Sequence, residues 1–597
     1  MFYAPACPFL QQLKDRINLK EIPFSERGSR LLVFSNASTL NVRLAERWIK
    51  WEKEVGHYRF RKPVLDQLTF MDAEGRPLEF QLQAFPHALL FETRIGQAWL
   101  AFVDEETIYI QLPHTPCGFS FRVYATHGRT DRRGGEFKGD PEHRQIHRNI
   151  AYTTNASPVG NTISLDRDGY LRVRMQVDTT ADSGLVLNVT PRLGLNRRVP
   201  TGEHILRRAE SRWHDWFAAA PRVDPKYENQ YYYAWWILRA GLLSSRFHLT
   251  REAMIPSMLH YVGVWAWDAF FHALAYQHVD QDLAENQLRI LLDHQQENGM
   301  VPDAVHDEGI VTAWQLPHSS ETAPVTKPPL IGWTAMKLYR TNGNRDFLDE
   351  IYEPISRWNH WWFHDNDDDS DGIIQYNHPY SSGLDDSPLW DGGVPVESPD
   401  INTYIVMQMD ALAQMAGVLG LHEDACQWDK RAKELTEKMV HHFWDDQAGL
   451  FWAMRGHQPI RVLTPFNLYP LITGRLDQGL TKRLVTHLMN KDYFWKDYPI
   501  ATVAGTDAQY NPDRMWRGPT WVNVNYLFIE GLMRCGYKDQ ARQLRDKTLE
   551  LLMLHNDIYE YYNPETGAPP PQAASVFGWS SAVFIDLAIK ASCGEII

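Results

Sequence analysis

Near residue 205 the apolar pattern of this chain changes from strand-like alternation to helical spacing, and no other feature limits its fold as much. Before that point RLLVFS, LEFQLQAF, ALLFETRI, AWLAFV, TIYIQL, FSFRVYA, LRVRMQV and GLVLNVTPRL are short β-rich runs parted by turns such as EGRP, RDG and ADSG. Strands in succession, without helices between them, imply an antiparallel β-sandwich over residues 1–205. Within it the polar, Gly-rich stretch THGRTDRRGGEFKGDPEHRQ reads as a long loop. ESRWHDWFAAAP at 210–221 is amphipathic and marks a helical linker over 206–226. From 227 to 597 roughly twelve segments have helical spacing, several ending at Gly. About twelve helices is what an (α/α)6 barrel needs, whereas a helical solenoid would need a fixed sequence period that is absent. The fold class is therefore multidomain, β followed by α.

Composition excludes several partners. A formal net charge of -14 leaves no basic face for nucleic acid. No basic run suits an anionic membrane surface, and no apolar stretch approaches the roughly 20 residues that span a bilayer. The start, MFYAPACPFLQQLKDR, lacks the basic-then-apolar order of a secretion signal, so a cytoplasmic location is expected. Cys7, Cys117, Cys426, Cys535 and Cys593 are scattered and form neither a zinc motif nor a disulfide framework. Nothing in the sequence sets the oligomeric state.

The stretches 250–266, 299–328, 366–400, 492–519 and 556–578 between the helical segments are long and rich in aromatic residues. If helices alternate inside and outside a barrel, such loops collect on one rim. HYVGVWAWDAFFHA places Tyr261, Trp265, Trp267, Asp268 and Phe271 around a helix start. NHPYSSGLDDSPLWDGG supplies Tyr380, Asp385, Asp386, Trp390 and Asp391. RMWRGPTWVNVNY supplies Trp516, Arg517, Gly518 and Trp521, and YEYYNPETGAP supplies Glu560, Tyr562 and Asn563.

Aromatic faces stack on sugar rings, and carboxylates pair with sugar hydroxyls. Acetal cleavage needs two carboxyl groups, one protonating the leaving oxygen and the other working from the opposite side. Aromatic walls desolvate a carboxyl and raise its pKa, which suits the acid. Taken singly, each loop has a plainer reading: Asp385 and Asp386 as turn residues, Asp268 as a helix cap, Glu560 as a surface acid.

Together the four loops resemble glycoside hydrolase family 63 and its neighbours, with the nearest likeness to bacterial glucosylglycerate and mannosylglycerate hydrolases and bacterial α-glucosidases. The likeness covers about residues 250 to 592 and rests on YxxxWxWDxxF at 261–271, HPxxSGxDDSPxWD at 378–391, WRGPxW at 516–521 and ExYNPxTG at 560–567. The resemblance implies the barrel, an inverting mechanism, Asp385 as general acid with Asp386 its rival, and Glu560 as general base. It also implies that Asp268 holds sugar hydroxyls and that Tyr261, Trp265, Trp267, Trp516 and Trp521 wall the innermost subsite. Ser381, Met515 and Tyr380 depart from residues usual in the family. Lys327, with Gln315, is placed to touch an outer or leaving group, where a cation favours an anionic conjugate such as a glycerate or sulfo-sugar.

The expected activity is exo-acting hydrolysis of a small α-glucoside or glucosyl conjugate, with α-mannosylglycerate or an α-sulfoquinovoside as alternative substrates. A barrel phosphorylase and a non-catalytic carbohydrate-binding barrel are the rival classes. No cofactor is called for. HDNDDDSDGIIQY has the alternating oxygen donors and Gly turn of a calcium loop at Asp367, Asp369 and Asp371, without a Glu at the twelfth position. The resemblance makes one structural calcium there optional.

Overall fold

The computed structural model describes residues 5, 7–46, 62–125, 127–140 and 148–597. It divides into two compact units, one of 1–220 with 235–244 and 258–262, the other of 221–234, 245–257 and 263–597.

Among the described residues of the first unit, fourteen strands form antiparallel sheets of six and eight strands. Side chains of the two sheets meet between them: Phe70 lies 5.4 Å from Phe91, and Phe121 meets Tyr152 edge-on at 5.3 Å. These alternate positions are the buried face that the period-two pattern requires. The Gly202–Ala219 helix packs Ile205, Ala209, Trp213, Trp216 and Phe217 inward from one stripe, and Trp216 Nε1 donates to Trp235 O at 3.1 Å.

One expectation needs correcting. The polar stretch after Thr126 is largely an edge hairpin, with His127–Asp131 paired to Gly134–Lys138. Its outer strand is mostly exposed and polar, as an unpaired sheet edge should be, so it carries no alternation to read. Gly134 is needed there, because a Cβ would stand 1.9 Å from Tyr152 O. Thr126 and 141–147 lie outside the described residues.

The second unit is helical. The segments Ala266–Tyr276, Ile331–Asn342, Pro399–Leu419, Pro465–Thr473, Val522–Arg534 and Gly578–Ser592 touch one another in that order, and the last returns to the first. All residues of Ala266–Tyr276 and Pro465–Thr473 are buried, as expected of helices apolar on every side. Gln281–Leu292, Arg345–Asp365, His422–Phe443, Gln478–Leu488 and Lys538–Met553 alternate with them and bury only part of their residues. Gly343, Gly420 and Gly474 end helical segments in the left-handed region, as their sequence positions suggest.

Every motif loop of this unit runs into the N-terminus of one of the six mutually contacting segments. Residues 264–265 enter Ala266–Tyr276, 378–391 precede Pro399–Leu419, 516–521 enter Val522–Arg534, and 560–577 enter Gly578–Ser592. That directional rule, with the ring of contacts, is what gathers sequence-distant loops.

Phe271 is fully buried within this ring, its centroid 5.8 Å from Trp333 and 6.3 Å from Tyr526. Phe271→Ala should destabilise the helical unit by about 3–5 kcal/mol, read as a fall in its thermal midpoint. An unchanged midpoint would mean that Phe271 is not a packing residue.

Candidate active site

The site is built around one buried ammonium. Lys327 is 5% exposed, and its Nζ lies 3.0 Å from Asp303 Oδ1, 3.9 Å from Asp385 Oδ1 and 2.7 Å from Tyr380 O. Burial disfavours its charge, yet Asp303, Asp385 and Asp268 outweigh that and raise its pKa. Lys327 therefore is not the free cation for an anionic aglycone that its loop suggested; neighbouring carboxylates hold it.

Those carboxylates behave differently. Asp268, in the first turn of Ala266–Tyr276 and 5% exposed, is pushed well above the usual carboxylate range by burial, with Asp303 and Asp385 adding to the rise. Asp385 is raised to about 6, by burial first and then by Asp303 and Asp386, against the pull of Lys327. Its side chain is 36% exposed, and Oδ1 accepts no hydrogen bond from any described residue. Asp400 is also raised to about 6 by burial, but Tyr376 Oη donates to it at 2.8 Å and Ser398 Oγ bonds its other oxygen. Asp385 combines the raised pKa with a partly exposed side chain whose buried Oδ1 lacks such a donor.

The loop carrying Asp385 is clamped on several sides. Lys327 holds Tyr380 O, Thr326 N donates to Ser381 Oγ at 3.2 Å, and Trp390 Nε1 donates to Leu384 O at 2.7 Å. Arg455 donates to Leu389 O at 2.7 Å and to Gly393 O at 3.0 Å. Asp386 accepts from Arg514 Nε at 3.1 Å and from Trp516 N at 2.9 Å, so it pins the 516–521 loop. Arg517 grips Asp391 with both terminal nitrogens and is thereby occupied. Gly383 has φ +74°, and a Cβ there would stand 2.4 Å from Trp267 Cζ2, so only glycine lets the loop press on that ring.

Aromatic side chains line up behind the carboxyls. Trp516 stacks on Trp521 at 3.7 Å and 7°, and Trp521 stacks on Tyr561 at 4.7 Å. Trp267 lies 6.0 Å from Trp516 and meets Trp579 edge-on at 5.5 Å. Trp516 and Trp521 are each 1% exposed, so their faces meet one another, and the open aromatic surface lies with half-buried Trp265 and Tyr380. Glu560, 5% exposed, is fixed by its own N–H to Ala574 O at 2.9 Å and by Ala574 N to Oε2 at 3.4 Å. Both Glu560 and Asp386 act on the Tyr561 hydroxyl, whose pKa burial raises first.

The remaining expected residues fall elsewhere. Gly518 is a close-approach position, since a Cβ would lie 2.4 Å from Asn511 O. Phe271 is a ring-packing residue with no open face, and Trp390 is 8% exposed against Tyr376. Gln315 is exposed on the Ala313–Gln315 hairpin strand and donates to Ser319 O. Tyr261 sits in the 258–262 segment of the first unit, beside His260. Asp303 and Trp579 escaped the sequence reading. Asp303 stands in MVPDAV without an aromatic neighbour, and Trp579 reads as an apolar helix start.

Asp367, Asp369 and Asp371 do converge, with oxygens within 4.8 Å of one another. Asp367 Oδ1 is buried without a hydrogen-bond partner among the described residues, and burial raises that carboxyl. The donor set fits a hard cation such as calcium.

The family profile described as the mannosylglycerate hydrolase MGH1-like glycoside hydrolase domain matches residues 261–580. The chain belongs to that family, and it is a glycoside hydrolase. It is 26% identical over 404 residues to a mannosylglycerate hydrolase of Thermus thermophilus, covering 55% of this chain and 95% of that protein. It is 24% identical over 416 residues to a glucosylglycerate hydrolase of Mycolicibacterium hassiacum, covering 55% and 92%. The crystal structure of a bacterial glucoamylase complexed with acarbose is similar over 97% of this chain and 95% of its own, with a TM-score of 0.62 and 12% identity.

Removing the ammonium removes the one group that lowers the Asp385 pKa from its raised value. Lys327→Met should make Asp385 titrate above about 6, followed by carboxyl carbon NMR. An unchanged or lower midpoint would show that Lys327 does not act on Asp385.

Proposed function

We propose that the helical unit is a closed (α/α)6 barrel and that the protein hydrolyses a small α-linked glycosyl conjugate from its end, with inversion. The observation that carries this reading is Asp385: its carboxyl is raised to about 6, its side chain stays 36% exposed, and its buried Oδ1 has no hydrogen-bond partner among the described residues. In this reading Asp385 protonates the leaving oxygen, and Glu560 takes the proton of a water attacking the opposite face. Asp268 holds sugar hydroxyls, and Trp265 and Tyr380 offer apolar faces to the ring. Asp386 loses its claim to the acid role, because Arg514 and the Trp516 N–H bind both its oxygens. A calcium ion at Asp367, Asp369 and Asp371 would only brace the loop after the Arg345–Asp365 helix. A cytoplasmic location belongs to the same reading; no described helix is long and apolar enough to cross a membrane.

The named relatives act on glycosylglycerates, which favours, within the expected small α-glucosides, glucosyl conjugates and the mannosylglycerate alternative, α-mannosylglycerate or α-glucosylglycerate. Proton NMR with these two, an α-glucosyl disaccharide and an α-sulfoquinovoside tests it. Release of the β-anomer first, without added phosphate, is expected; the α-anomer first, or a requirement for phosphate, would refute the mechanism.

A general acid works in its protonated form, so activity should fall as pH rises through about 6, the value to which Asp385 is raised. Asp385→Asn should lose about 100-fold or more with poor leaving groups and much less with activated ones. Equal losses on both would remove the acid role. Glu560→Gln should lose activity with either kind, and a trapped glycosyl-enzyme would contradict the role of base.

A further inference from the structure

Within the helical unit, outside the carboxyl cluster, three segments distant in sequence bring two imidazoles and a carboxylate together. His442 stands in the last turn of His422–Phe443, Glu397 on the strand Val396–Glu397, and His457 at the turn between Met454–Arg455 and Gln458–Pro459. One donor atom from each lies within 4.8 Å of the others. His442 Nε2 is 2.7 Å from Glu397 Oε2, while its Nδ1 points to Asp371 Oδ2 at 3.8 Å. His457 Nε2 is 3.3 Å from Asp369 Oδ2. Glu397 is 8% exposed, whereas His457 is open to solvent.

We propose that Glu397, His442 and His457 bind a divalent transition-metal ion of the zinc class. Two imidazole nitrogens with one carboxylate form a donor set that suits zinc, cobalt or nickel rather than the oxygen-preferring calcium or magnesium. His442 has the second feature of such sites: one ring nitrogen faces the ion position beside Glu397 and the other faces an outer carboxylate, Asp371. Exposed His457 leaves room for a water ligand. The site is separate in chemistry from the all-oxygen Asp367, Asp369 and Asp371 cluster, although Asp369 and Asp371 form its outer layer.

Its position has a structural consequence. Glu397 pairs with Met454 across two strands, and the next residue, Arg455, holds Leu389 O and Gly393 O at the exit of the Asp385 loop. An ion shared by Glu397, His442 and His457 would tie the hairpin, the strand and the helix end together behind that loop. It takes no part in bond cleavage.

The test is a zinc chloride titration of chelator-stripped protein against a chromophoric competitor. Wild type should take up about one equivalent, undiminished by a large excess of calcium, and bind at least about tenfold more tightly than His457→Ala and Glu397→Gln. His457 lies at an exposed turn, so its replacement leaves the fold intact, checked by circular dichroism. Cobalt should give visible ligand-field bands in wild type that His442→Asn abolishes. Uptake that neither His457→Ala nor Glu397→Gln weakens, zinc displaced by calcium, or no uptake by wild type would each overturn the proposal.

Discussion

Lys327 decides the charge state of everything around it. A cation 5% exposed must be neutralised, and Asp303 at 3.0 Å does so. Asp268 and Asp385 then face a cation already spent on another carboxylate. Three carboxyls around one ammonium cannot all ionise cheaply in a desolvated place, so the two lacking the close contact keep their protons to higher pH. The raised pKa of Asp385 thus reflects burial first and then the charges of Asp303 and Asp386, against the pull of Lys327. The two neighbouring aspartates of the loop differ in their partners: Asp386 meets Arg514 and a backbone N–H, while Asp385 faces a cation shared with Asp303.

A charge balance of this kind works only if distances are held, and the clamps around 378–391 hold them. Lysine, arginine, tryptophan and backbone donors each fix a different point of the loop while the Asp385 Oδ1 accepts no hydrogen bond among the described residues. Gly383 brings Trp267 against the loop, and the Asp391–Arg517 pair joins it to the loop carrying Trp516 and Trp521. Clamps of this sort hold the carboxyl in one arrangement with little freedom to reorder.

How much of this was legible in the sequence depended on the reach of each signal. Strand alternation and helical spacing are local, so the sheet region, the run of helices and the Gly ends could be read directly. The edge hairpin could not, because exposure removes alternation. The motifs pointed to the loops but not to the division of labour within them. In the string WRGPTW all four of Trp516, Arg517, Gly518 and Trp521 look like ligand contacts; in the structure the tryptophans stack on each other, Arg517 holds Asp391, and Gly518 abuts Asn511. Lys327 and Asp303 are 24 positions apart by number, and only the fold reveals their pairing. Asp303, without an aromatic or acidic neighbour in sequence, left no trace of its role.

The division of the chain carries a further consequence. A stretch amounting to 55% of this chain covers 95% of the Thermus thermophilus relative, and the family match begins at 261. Asp268, Asp303, Lys327, Asp385 and Glu560 all lie inside that match, so the paired sheets supply none of the carboxyls gathered here. A relative almost wholly matched by the helical part has little length left for two large sheets. The glucoamylase structure, in contrast, resembles the chain over 97% of its length, sheets included. Each of the six contacting segments touches the next within the helical unit. The ammonium and its three carboxyls lie within the helical unit.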